Sequence, residues 1–171
     1  MPLPAQKFRE VVFQMLYSHD IGRASEEDML TLLMHELSIT KKTVREAQAR
    51  VRAIIEKQSE IDAMIAKTSQ SYVFERIQTV ERNILRLGAF ELFYDDEIPP
   101  KVAIAEAMRL ARKFSTPESS TFINAVLDTL YKESIGEQVD TSDMQNSIDK
   151  LNQSEKLARE AAQEKPQEPT P

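Results

Sequence analysis

The chain has 171 residues, 41% of them hydrophobic, and no cysteine; that is enough for one folded body plus a tail, and it leaves no disulfide or thiolate metal site available. Its three glycines, Gly22, Gly88 and Gly136, exclude the glycine-rich loops that cradle phosphates in nucleotide enzymes. The net charge of −6 argues against a broad basic face, but from Ser134 onward four basic residues stand against eight acidic ones, so the tail carries −4 and the first 133 residues only −2.

Apolar spacing is helical nearly throughout, without the alternating β-branched runs of hairpins, so the fold class is all-α. The first helix runs from about Lys7 to Asp20, with Phe8, Val11, Val12, Met15 and Leu16 as its core stripe and Gly22 as its stop. Phe13 and Tyr17, one turn apart on the opposite side, make a second apolar face. It is either an outward aromatic pair or a surface buried under a second bundle. Ser25 and Asp28 open a short helix through Met29, Leu30, Leu33, Met34 and Leu37. A third helix, roughly Lys41 to Lys67, carries Val44, Val51, Ile54, Ile55, Ile61 and Met64 on one side, with Arg45, Arg50, Arg52 and Glu56 largely outside.

Ser69, Gln70 and Ser71 form a polar break, and a short Tyr72 to Ile77 segment follows. The boundary between two helical subdomains, 1–67 and 68–136, is placed there. From Thr79 to Asp95 apolar residues surround much of the helix axis, which marks the central helix of the second bundle. Gly88 in its interior costs about 1 kcal/mol relative to alanine, a cost offset where another helix approaches closely. Ile98-Pro99-Pro100 breaks and restarts the chain, and an alanine-rich helix continues to Phe114. Ser115-Thr116-Pro117-Glu118 starts the next, through Ile123, Val126, Leu127, Leu130 and Tyr131. Residues 137–171 read as a polar acidic tail, disordered or a weak solvated helix. The alternative is partial docking through Met144, Ile148 and Leu151, at i, i+4 and i+7.

No catalytic arrangement, metal site or cofactor motif is visible. His35-Glu36 is not continued into HExxH, and His19 lies in another helix. Glu81 and Glu91 are about 15 Å apart in rise along one helix, so they cannot act as paired acids. The N-terminus lacks an apolar signal core and no stretch approaches the roughly 20 apolar residues that span a bilayer. The expectation is a cytoplasmic protein with no membrane association.

The run VERNILRLGAFELFYDDEIPPKVAIAEAMRLARKF, continued by STPESSTFINAVLD, resembles the C-terminal signature of the NusB transcription antitermination family. FREVVFQMLY resembles its first helix, so the likeness covers most of residues 5 to 133 and excludes the tail. The resemblance implies two packed three-helix bundles, no catalysis, and binding of boxA-type single-stranded leader RNA together with the NusE-like ribosomal protein, in support of the transcription elongation complex and ribosomal RNA synthesis. It implies RNA contacts in the first helix, where the counterparts here are Ala5, Gln6, Lys7 and Arg9. Only Lys7 and Arg9 keep the charge, so RNA affinity is expected to be lower and less salt-dependent; the alternative for both is a solvated helix face. It places Phe114 and Phe122 beside the RNA, with Arg112 and Lys113 as neighbouring cations; core packing is the rival for both rings. Tyr17 and Glu81 resemble partner-facing positions, and Phe13 and Glu118 join them as candidates. The alternative function is a ribosome-biogenesis or protein-interaction adaptor with little intrinsic RNA binding, and a homodimer is the alternative to a monomer.

Overall fold

The helical spacing folds, in a computed structural model that describes residues 3–22, 27, 34–35, 38–68, 74–139 and 142–163, into an all-α body with no strand among those residues. Its helices are α1 (Ala5–Ile21), α2 (Lys41–Glu56), α3 (Gln58–Thr68), α4 (Thr79–Tyr94), α5 (Pro100–Phe114), α6 (Pro117–Ser134) and α7 (Ser142–Gln163), with a 3-10 turn at Phe74–Arg76. The short helix read from Ser25 to Leu37 and the break at 69–71 lie largely outside the described residues.

Local chemistry sets the boundaries. Gly22 ends α1 at φ 67°, a conformation glycine adopts without strain, and returns its N–H to the Ser18 carbonyl at 3.0 Å. Proline opens both α5 and α6, where its missing N–H costs no helical bond. The Thr116 hydroxyl accepts the Ser119 N–H at 3.1 Å and so caps α6. The single helix expected from Lys41 to Lys67 is corrected to two. The chain tightens at Lys57, whose N–H reaches back only three residues to the Ile54 carbonyl at 3.1 Å. The bend lets α2 lie on α1 while α3 touches both α4 and α6.

The central position of α4 follows from its all-round apolar surface. Every residue from Asn83 to Glu91 is buried, and the helix packs on α1, α2, α3, α5 and α6. At Gly88 the side chains of α5 and α6 press against the α4 backbone. A Cβ built there would lie 2.7 Å from Leu127 Cδ1 and 3.3 Å from Ala107 Cβ, so the missing side chain is what seats α5 and α6. One continuous apolar cluster runs from Val11 on α1 to Leu151 on α7.

For 142–163 the structure follows the alternative reading of the tail, docking through Met144, Ile148 and Leu151, rather than the disordered one. These residues form α7, which packs on α6. Met144, Ile148 and Leu151 are 6%, 2% and 7% exposed, so burial of one apolar stripe is what holds the segment down. Beyond Leu151 the helix is mostly exposed, including Leu157 at 60%.

Candidate nucleic-acid and partner interface

The basic residues of α1 and α5 converge across the α1–α4–α5 junction, but carboxylates meet most of them there. Arg9 Nε donates to Glu91 Oε1 at 2.8 Å, and its guanidinium lies 3.8 Å from Glu106. Arg109 bridges Glu106 at 2.9 Å and Glu10 at 2.8 Å. Lys113 Nζ donates to Glu10 Oε2 at 2.9 Å, and Lys7 reaches the same oxygen at 3.4 Å. Burial pushes the Glu10 carboxyl up, but the hydrogen bonds of Lys113 and Arg109 outweigh it and hold the group below its ordinary value. For Glu91 burial wins over Arg9 and the carboxyl is pushed up. Burial would lower Arg109, but its bonds to Glu10 and Glu106 raise it instead.

Exposure divides the cations into two kinds. The Arg9 side chain is only 12% exposed and acts as a strut between α1 and α4, so the solvated-face reading of Arg9 is corrected. Lys7 and Lys113 are 60% and 44% exposed and hold their partner from the solvent side. Arg112 is exposed and touches the Ser120 hydroxyl at 3.3 Å. Arg109 was not among the expected site residues. Its signal was present in the i, i+3, i+7 spacing of Glu106, Arg109 and Lys113, which puts all three on one face of α5.

The aromatic expectations divide in the same way. Phe13 is 3% exposed, so the outward reading is corrected. Its ring lies 4.9 Å from that of Phe114 and 6.3 Å from that of Tyr17, because the end of α5 packs over this face of α1. Phe122 is fully buried in the core and presents no face for stacking on a base, a second correction. Phe114 and Tyr17 are half-buried, and Lys113 Nζ sits 5.7 Å from the centre of the Phe114 ring.

A second ionic cluster ties α1, α3 and α4 together. Asp20 accepts from Arg82 at 2.8 Å, Asn83 at 3.0 Å and Arg86 at 3.1 Å. Arg86 also holds Asp62 through two bonds of 2.8 Å. Burial raises the Asp20 carboxyl, but Arg82, Asn83 and Arg86 outweigh it and hold the group low.

Glu81 is 3% exposed, and its position is set by the turn between α5 and α6. Its Oε1 accepts from the hydroxyls of Ser115 and Ser119, the latter at 2.6 Å. Its Oε2 is buried with no hydrogen-bond partner among the described residues. The carboxylate lines a cleft of about 380 Å³ between this turn and α7, together with Gln78, Thr116, Ser154 and Arg159. Glu118, in the first turn of α6, is half-buried. Among the described residues no cluster of His, Asp and Glu could hold a metal ion, and no helix is long and apolar enough to cross a membrane.

Residues 6–132 match the model of the NusB family. The chain is 38% identical over 131 residues to the transcription antitermination protein NusB of Chlamydia pneumoniae, covering 77% of this chain and 82% of that one. Against the NusB of Nitratiruptor sp. it is 40% identical over 125 residues, covering 73% and 89%. Among solved structures, T. maritima NusB superposes with a TM-score of 0.66 at 32% identity, covering 78% of this chain and 94% of that one. The antitermination factors NusB and NusE in complex with double-stranded RNA give a chain that matches with a TM-score of 0.64 at 27% identity, covering 75% and 96%.

Proposed function

The chain belongs to the NusB family, and from that premise we propose that it is a non-catalytic transcription antitermination factor that binds boxA-type leader RNA together with a NusE-like ribosomal protein. The match over residues 6–132 carries this reading, and a relative of the same fold is known in complex with NusE and RNA. Lys7, Arg112 and Lys113 supply the exposed positive charge around the half-buried Phe114 ring, a combination suited to phosphate contact beside one stacked base. Arg109 stands behind them and orients Glu10. Arg9 holds the scaffold rather than the RNA. Tyr17, Glu118 and the Glu81 carboxylate form the side offered to the protein partner.

Three solvent-facing cations make a weak RNA site, so the partner completes the surface. Fluorescence anisotropy with a boxA RNA, a scrambled RNA and an RNA duplex, each with and without the cognate NusE-like protein at two salt concentrations, tests this. The boxA RNA should bind best, and only with the partner present. Equal affinity for boxA and scramble in the mixture sinks the reading, and equal boxA binding without the partner sinks the cooperative assembly. Duplex binding as tight as boxA would assign the surface to backbone shape instead.

A further inference from the structure

The helix α7 lies outside the residues that match the family, which end at 132, yet it closes over the turn that holds Glu81. We propose that α7 is a detachable cover, and that its docking and the binding of the NusE-like protein at the Glu81 face exclude one another. This rests on the proposed function above, in which that face receives the protein partner.

Three observations point the same way. First, α7 is held by Met144, Ile148 and Leu151 near its start, while its distal half is mostly exposed and leaves a cleft over the Glu81 turn rather than a packed interface. An element whose apolar attachment is confined to the first half of one helix opens locally before the body unfolds. Second, the closed form is imperfect at its centre. Glu81 Oε2 is buried without a partner, and an unsatisfied buried carboxylate oxygen is a standing cost of that form. Opening α7 hydrates this oxygen, and a partner that presents an N–H donor or a cation there replaces the water. Third, the contact from Gln78 Nε2, just before α4, to Glu155 Oε1 on α7 is 3.4 Å long and exposed, so water can replace it as the distal half lifts. A partner that binds only the open form draws the population toward it, and its apparent affinity falls by the fraction of molecules that are closed.

The chain has no cysteine, so thiol chemistry can pin the cover in the full-length protein. The Gln78→Cys, Glu155→Cys double variant is measured before and after closure by a short bis-maleimide, with binding of the NusE-like protein followed by calorimetry. Ile148→Asp serves as the opened form, and circular dichroism verifies that its body remains folded. Crosslinking should weaken partner binding at least about tenfold relative to the same variant left open, and Ile148→Asp should strengthen it over the unmodified chain. Hydrogen exchange in the complex should show residues 142–163 deprotected while the α5–α6 turn becomes protected. Unchanged affinity on crosslinking, or protection of α7 in the complex, overturns the cover while leaving the function intact. Failure of every form to bind, Ile148→Asp included, overturns the function and the cover with it.

Discussion

Two ionic clusters built from the same kinds of side chain hold this molecule together on different terms. Around Arg86, two arginines meet two aspartates, the charges balance, and the Arg86 side chain is 6% exposed. Around Glu10, four cations (Lys7, Arg9, Arg109 and Lys113) face three carboxylates (Glu10, Glu91 and Glu106), and exposure rises from Arg9 at 12% to Lys7 at 60%. The first cluster turns on the buried Arg86 and ties α1, α3 and α4 together. The second is closed at its Arg9 end and open at its lysine end, where phosphate oxygens can compete with Glu10 for the same N–H donors. Burial, more than residue type, decides which arginine is a strut and which cation remains open to solvent.

The contrast is sharpest at Arg86. Replacing it with alanine takes the paired guanidinium from Asp62 while Asp20 keeps Arg82 and Asn83, and a loss of about 3 kcal/mol in urea denaturation is expected. A loss below 1 kcal/mol would mean the balanced cluster is no more than surface decoration. At the closed end of the other cluster, Arg9→Ala should cost about 2 kcal/mol, less because Glu91 is already pushed toward its neutral form and can protonate. In RNA titrations its salt dependence should match the wild type, and a shallower slope would make Arg9 a phosphate contact after all.

Acid should distinguish the carboxylates next. Asp20 and Glu10 are held below their ordinary values of 3.8 and 4.5. Their contribution is therefore complete above those values and is lost as pH falls through the lower folded ones. Glu91 is raised above 4.5, so protonating it restores stability as pH falls through its folded value, the opposite sign. The melting temperature should show a shallow shoulder above pH 4.5 and a steep fall below it. Glu91→Gln should remove the shoulder and Asp20→Asn should flatten the fall; a shoulder that survives Glu91→Gln assigns it elsewhere. The smallest effect on folding is expected at the open end. Lys113→Ala should leave the urea midpoint nearly unchanged while reducing the slope of log K against log salt by about 0.7, the value for one phosphate contact on a single strand. An unchanged slope would remove Lys113 from the RNA surface.

Much of the scaffold was legible in the chain because its punctuation is local. Gly22, Pro100 and the Thr116-Pro117 pair act within one helical turn, and the all-round apolar surface of α4 announces its central place. The charged and aromatic roles were less legible, because they depend on distant partners. Arg9 finds Glu91 82 positions away, and Lys113 finds Glu10 103 positions away. The second apolar face of α1 carries the same pattern whether it meets solvent, a partner or α5, and Phe13 was misread on that account. The tail was legible only as an alternative. The i, i+4, i+7 spacing of Met144, Ile148 and Leu151 offered docking, but the face of α6 that receives them is not registered by the tail's polar composition.

The close approach of Leu127 to Gly88 bears on how such a sequence can change over descent. A methyl group there must displace Leu127, and a smaller residue at 127 would leave a hole unless position 88 had grown. Each change alone is disfavoured and the two together are tolerated. Positions 88 and 127, 39 apart in the chain, are therefore expected to vary as a pair, one enlarging as the other shrinks.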